Sequence, residues 1–132
     1  MSKERPLIAV IDDEDAVRKA LRRLLQSTGL AVETFSGGAE FLDSLLMHLP
    51  ECAVLDLHMP GVNGFNVLAR LAEMHSRVPV VVITGHDSPE AEECAISGKA
   101  SAYLRKPIKD SVLLDAISAA TARSAENNPP LP

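Results

Sequence analysis

The 132-residue chain is predicted to be one α/β domain, a doubly wound sheet of five parallel strands with helices on both faces. Three observations predict it. Five short apolar runs alternate with segments of helical period, which is the pattern of a parallel sheet and its crossovers. The run Ala53-Val54-Leu55 is closed by Asp56 and followed by Pro60-Gly61, so it reads as a buried strand entering a loop. The length suffices to bury one core without disulfides or a structural metal, and leaves no room for a second domain.

The opening Met1-Ser2-Lys3-Glu4-Arg5-Pro6 leads into the first strand, Leu7 to Ile11. Five apolar residues before the acids begin are too few for a signal peptide or a membrane span. In the first helix Ala16, Val17, Ala20, Leu21, Leu24 and Leu25 share the inner face, while Arg18, Lys19, Arg22 and Arg23 share the outer one. Asp15 is placed to cap this helix, Glu14 to be solvated, and Gly29 to stop the helix. The second strand is expected over Ala31 to Phe35. The second helix, near Ala39 to His48, should bury Phe41, Leu42, Leu45 and Leu46 and end before Pro50.

Cys52 to Leu55 makes the third strand, and Phe65, Leu68, Leu71 and Ala72 the inner face of the third helix. Val80 to Thr84 is the fourth strand. The fourth helix, Pro89 to Ser97, has Glu90, Glu92 and Glu93 in its opening turns and only Ala91, Cys94, Ala95 and Ile96 to bury, which predicts low local stability. Ala100 to Leu104 is the fifth strand. Asp110 or Ser111 should cap a last helix carrying Val112, Leu113, Ala116, Ile117 and Ala120 inward. Residues 1–125 are thus expected to form the domain, and the proline-rich segment 126–132 a flexible tail or a linker stump.

A net charge of −5 with both signs interspersed gives no global reason to bind nucleic acid or an anionic membrane. Cys52 and Cys94 lack metal-ligand or redox spacing and read as buried, inert thiols, as in a reducing cytoplasm. Chemistry concentrates at the strand tips. Asp12 and Asp13 end the first strand, and two adjacent carboxylates repel unless a cation or a proton intervenes. With Asp56 from the third strand they offer three hard oxygen donors, the set that suits Mg2+ and a phosphate. Thr84-Gly85 ends the fourth strand with a hydroxyl and an open amide, and Lys106-Pro107 ends the fifth with an ammonium. Together these would neutralise the oxygens of a transferring phosphoryl group, with a carboxylate left to act as nucleophile.

These residues resemble the receiver domain of two-component response regulators. The matching positions are Asp12-Asp13, Asp56 with Met59-Pro60-Gly61, Asn63-Gly64, Thr84-Gly85 and Lys106-Pro107, and the likeness covers nearly all of residues 7–122. Pro79 through His86, and Ser36 through Phe41-Leu42, look most like the FixJ-type branch, whose members often carry a DNA-binding domain after the receiver. The resemblance implies the flavodoxin-like (βα)5 arrangement with strand order 2-1-3-4-5. It implies that Asp56 is phosphorylated by a sensor histidine kinase or a histidine phosphotransferase. Asp12, Asp13, Asp56 and the backbone carbonyl of His58 would hold Mg2+, with Mn2+ as a substitute. Leu57, Thr84, Gly85 and Lys106 would contact the phosphoryl group, and Tyr103 would turn inward as Thr84 moves. It further implies a cis Lys106-Pro107 bond, a homodimer formed on phosphorylation, no direct contact of this domain with nucleic acid or membrane, and a cytoplasmic location. Such a domain modifies itself and is not an enzyme with a separate substrate.

Two departures stand out. Lys99-Ala100 occupies the place where the family usually has Gly-Ala, and Ala102 stands where an Asp is common. His58 and His86 flank the site as loop residues that could also govern water access to an acyl phosphate. His48 and His75 sit near helix ends, where a dipole contact suffices. Other readings fare less well. Aspartyl-phosphate hydrolases place nucleophile and acid two residues apart on the first strand and need a cap for the substrate. A flavin carrier needs a hydroxyl-rich phosphate loop and ring-stacking aromatics, whereas this chain has acids there and only 3% aromatic residues. A stand-alone phosphorelay protein stays open as the alternative to the regulatory half of a transcription factor.

Overall fold

In a computed structural model, residues 5–86 and 88–127 are described, with side chains up to residue 122. The chain runs β1 (Leu7–Ile11), α1 (Asp15–Ser27), β2 (Ala31–Phe35), α2 (Gly38–Ser44), β3 (Cys52–Asp56), α3 (Gly64–Glu73), β4 (Val80–Thr84), α4 (Pro89–Ser97), β5 (Ala102–Arg105) and α5 (Asp110–Asn127). The strands form one parallel sheet in the order β2-β1-β3-β4-β5. The chain therefore reverses its direction of travel between β1 and β3, and the crevice at their carboxyl ends is where such sheets bind ligands.

Period-two alternation along the central strands divides the core into two layers. Ala9, Ile11, Ala53, Leu55, Val80 and Val82 pack with Phe41, Val67, Leu68 and Leu71 on one side. Ile8, Val10, Cys52, Val54, Val81 and Ile83 pack with Leu25, Leu113, Ile117 and Ala120 on the other. Burial on both faces explains why β1, β3 and β4 read as unbroken apolar runs.

Several element limits differ from those expected. β5 begins at Ala102 because the preceding residues are spent on closing α4: the amides of Gly98, Lys99 and Ala100 bond to the carbonyls of Cys94, Ile96 and Ala95 at 2.9–3.0 Å. Lys99 holds φ 58° there. α2 ends at Ser44, and the amides of Leu46 and Met47 then bond only three residues back, a tightening that turns Leu46 outward to 83% exposure. Val67, not Ala72, completes the buried face of α3. On α1, Ala16 and Ala20 are exposed, and Leu25 alone is fully buried. Ile96 and Val112 are exposed too.

Caps shift as well. Glu14, not Asp15, holds the N-cap of α1, and Asp15 opens the helix in ion pairs with Lys19 at 3.0 Å and Arg18 at 3.2 Å. The Lys19 contact leads in holding the Asp15 carboxyl below its usual range. α5 starts at Asp110, with the Leu113 amide donating to the Lys109 carbonyl. It extends through Asn127, past the expected end at 125, and the rest of the tail lies outside the described residues. His48 bonds Glu33 on β2 at 2.7 Å instead of a helix end, while His75 takes φ 53° just past α3.

Candidate functional site at the carboxyl edge of the sheet

The ends of four strands bring their chemical groups to the same edge. β1 ends by placing Asp12, fully buried, with its amide bonded to Phe35 O at 3.1 Å. β3 ends in Asp56, 3% exposed. Asp13 stands beside them in the open, and the three carboxylates offer oxygens that all lie within 4.8 Å of one another. Lys106, just after β5, reaches across with Nζ 2.9 Å from Asp12 Oδ2, 3.4 Å from Glu14 Oε1 and 3.6 Å from Asp56 Oδ2. Its amide donates to Thr84 O at 2.8 Å, and the Lys106-Pro107 bond is cis.

The electrostatics follow from this crowding. Burial, then the neighbouring Asp12 charge, push the Asp56 carboxyl above the usual carboxylate range, against the pull of Lys106 and the His58 amide. Burial would lower the Lys106 pKa, but its hydrogen bond to Asp12 and the charges of Asp56, Asp12 and Glu14 carry it upward. Three carboxylates and one ammonium sum to −2, counting Asp12, Asp13 and Asp56 against Lys106. A hard divalent cation balances that charge, and an all-oxygen set with an exposed member suits an ion that keeps some of its waters. The residues present therefore fit Mg2+.

Thr84 at the end of β4 is 1% exposed, and its Oγ1 accepts the His86 amide at 3.0 Å, a local turn in which the hydroxyl serves as acceptor and keeps its capacity to donate. Gly85 lies exposed next to Lys106, whose Cδ would be 3.8 Å from any Cβ placed there. Tyr103 is half-buried against the α3 and α4 layer, with the Arg105 guanidinium 6.0 Å from its ring centre.

Leu57, expected to contact the phosphoryl group, and His58 differ in where their amides bond. The Leu57 amide donates to Ile83 O at 3.3 Å and so continues the sheet; it is the His58 amide that faces the carboxylate, 3.2 Å from Asp56 Oδ1. Sequence reasoning missed Arg18. Its guanidinium turns back from the outer face of α1 to donate to the Asp12 carbonyl at 2.8 Å, fixing the strand tip that carries the acids. Being three residues from Asp15, a place ordinary for a surface ion pair, it carries no sequence signal of that role. The rings of His58 and His86 stand 4.9 Å apart, edge to face, and His58 rests in the same way on Phe65 at 5.6 Å. Cys52 is buried and its thiol pushed up to about 12, whereas Cys94 is half-buried with a smaller rise from the same cause.

Comparison with known proteins agrees with this geometry. Residues 8–118 match the family described as response regulator receiver domain. The chain is 42% identical over 120 residues to the transcriptional regulatory protein FixJ of Azorhizobium caulinodans, covering 90% of this chain and 56% of that one. It is 35% identical over 119 residues to nodulation protein W of Bradyrhizobium diazoefficiens, covering 90% and 52%. The crystal structure of a response regulator receiver protein from Burkholderia phymatum superposes with a TM-score of 0.79 at 42% identity, covering 89% of this chain and 96% of that one. The chain spans about half the length of the curated relatives it matches. No helix among the described residues is long and apolar enough to cross a membrane.

Proposed function

The chain belongs to the response regulator receiver family, and from that premise we propose that it takes a phosphoryl group onto Asp56 from a phosphohistidine of a sensor histidine kinase or a histidine phosphotransferase. The observation that carries the reading is the Asp56 carboxylate, buried at a central strand tip between two further acids and the Lys106 ammonium 3.6 Å away. One Asp56 oxygen attacks phosphorus in line, the P–N bond breaks, and the departing imidazole keeps the electron pair and is protonated from solvent. Asp12, Asp13, Asp56 and the His58 carbonyl would hold Mg2+, or Mn2+, which when bound offsets the repulsion between the acids and the incoming phosphoryl oxygens. Lys106 then moves its charge from Asp12 toward the new phosphoryl oxygens. Thr84 donates its hydroxyl to one of them, and the amides of Gly85 and His58 receive the others.

The domain is thus a self-modifying switch without a separate substrate. Loss of the Thr84 hydroxyl from its present place opens room for Tyr103, and through it alters the surface of α4, β5 and α5, where two phosphorylated copies would pair. By analogy with FixJ, described as a transcriptional regulatory protein, the switch serves a regulator whose DNA contact lies in another domain and which works in the cytoplasm. The direct test is labelling with acetyl phosphate in Mg2+, followed by intact-mass spectrometry. Wild type gains one phosphoryl group and Asp56→Asn gains none while keeping its circular dichroism spectrum. Equal labelling of the mutant overturns the assignment.

A further inference from the structure

We infer that Gly38, at the start of α2 and remote in sequence from every acid of the site, is a positioning residue that seats the loop between Asp56 and Gly64 and thereby sets the affinity for Mg2+. The inference rests on the reading of the acids and the His58 carbonyl as a Mg2+ site. It deepens that reading by naming what holds the carbonyl's loop in place.

The loop is anchored at both ends. Leu57 is tied to the sheet through Ile83 O at 3.3 Å, and the Gly64 amide donates to Leu57 O at 3.1 Å. A Cβ at Gly64 would lie 2.5 Å from both Asp56 O and Leu57 Cα, so α3 starts directly against the peptide of the phospho-acceptor. Between these anchors, among the described residues, a backbone contact from outside the loop is made by Gly38. Its amide donates to Val62 O at 3.2 Å, and a Cβ there would lie 2.5 Å from Val62 O, 2.6 Å from Val67 Cγ2 and 2.9 Å from Val62 Cγ1. Real Cβ atoms do not approach backbone oxygen that closely, so any side chain at 38 must drive α2 and the loop apart. Val67 is fully buried in α3 and cannot yield. Val62 is only partly buried and lies between the loop's two anchors, so it is the partner that moves. The displacement is passed to His58, whose amide faces Asp56 and whose carbonyl is the proposed donor.

The test compares Gly38→Ala with Leu45→Ala by Mg2+ titration in a calorimeter, with urea melts in parallel. Leu45 is buried just past the same helix, about 10 Å further along at 1.5 Å per residue, and its truncation weakens the packing of α2 while leaving the Gly38–Val62 backbone contact in place. Gly38→Ala is expected to weaken Mg2+ binding about tenfold, the scale of lost support around a metal ligand, and Leu45→Ala less than twofold. Labelling by acetyl phosphate should recover in Gly38→Ala when Mg2+ is raised by the same factor, which a merely destabilised fold would not do. Unchanged Mg2+ affinity in Gly38→Ala, or equal weakening in both variants, overturns the inference while the metal site itself stands. Failure of wild type to bind Mg2+ overturns both. If Gly38→Ala does not fold, Val62→Gly, which keeps the Gly38 amide to Val62 O bond but removes the side chain packed beside it, is held to the same criterion.

Discussion

Lys106 Nζ sits 2.9 Å from Asp12 Oδ2 but 3.6 Å from Asp56 Oδ2, so the ammonium of the site is held more closely by Asp12 than by Asp56, the proposed phospho-acceptor. Its charge supports a fully buried carboxylate in the unmodified state and is close enough to be handed to a phosphoryl group afterwards. Removing it therefore has two opposite effects. Lys106→Ala should lose about 1–3 kcal/mol of stability in chelator, because Asp12 is left buried without its partner, and should bind Mg2+ several-fold more tightly because the cluster becomes more negative. Urea melts with EDTA and calorimetric Mg2+ titration check the two halves separately.

Asp13 is the exposed member of the acid cluster, so its charge can be removed without disturbing the core. In wild type, Mg2+ at about 100 times its Kd should raise stability by about 2.7 kcal/mol, the gain for a ligand that binds only the folded state. Asp13→Asn should fold with nearly wild-type stability in EDTA and gain little from the same Mg2+ concentration. Thermal melts across a Mg2+ series read this directly.

His58 and His86 pair edge to face, with Phe65 against the His58 ring, next to the His58 amide that lies 3.2 Å from Asp56 Oδ1. Replacing either imidazole by Ala should open a path for water and shorten the lifetime of the acyl phosphate about threefold, equivalent to about 0.7 kcal/mol of barrier. Decay of the labelled protein after removal of the phosphodonor measures it, and unchanged decay in both variants removes any role for the pair.

The two thiols should differ in kind. With its pKa pushed up to about 12, Cys52 holds only about one part in ten thousand as thiolate at pH 8, and it is shut inside the sheet as well. Cys94 is half-buried on α4 and should react first. A disulfide reagent added to native protein should titrate one thiol, and the second only in denaturant.

Most of this architecture was legible in the sequence because a central parallel strand must be apolar on both faces, so β1, β3 and β4 announce themselves. The acids Asp12, Asp13 and Asp56, with Thr84 and Lys106, were legible for a related reason: polar residues ending such runs have few other justifications. The limits of α2 and β5 were less so, since the apolar period continues through Leu45 and Leu46 while the backbone has already tightened, and since Lys99 carries the left-handed turn without the glycine that would mark it. Arg18 and the Leu57 amide lay beyond reach for a third reason. Their roles depend on which of two available partners a group takes, and only packed geometry decides that.

The strand order has a consequence for the life of the chain before it is complete. Asp12, Asp56, Thr84 and Lys106 come from β1, β3, β4 and β5, so no fragment emerging from the ribosome owns the site until residue 106 is free to pair β5 with β4. A partly made or partly unfolded molecule presents its acids without their ammonium, and on the proposed reading lacks the positive charge that would hold a phosphoryl group. Signalling competence is in this way a certificate of completed folding.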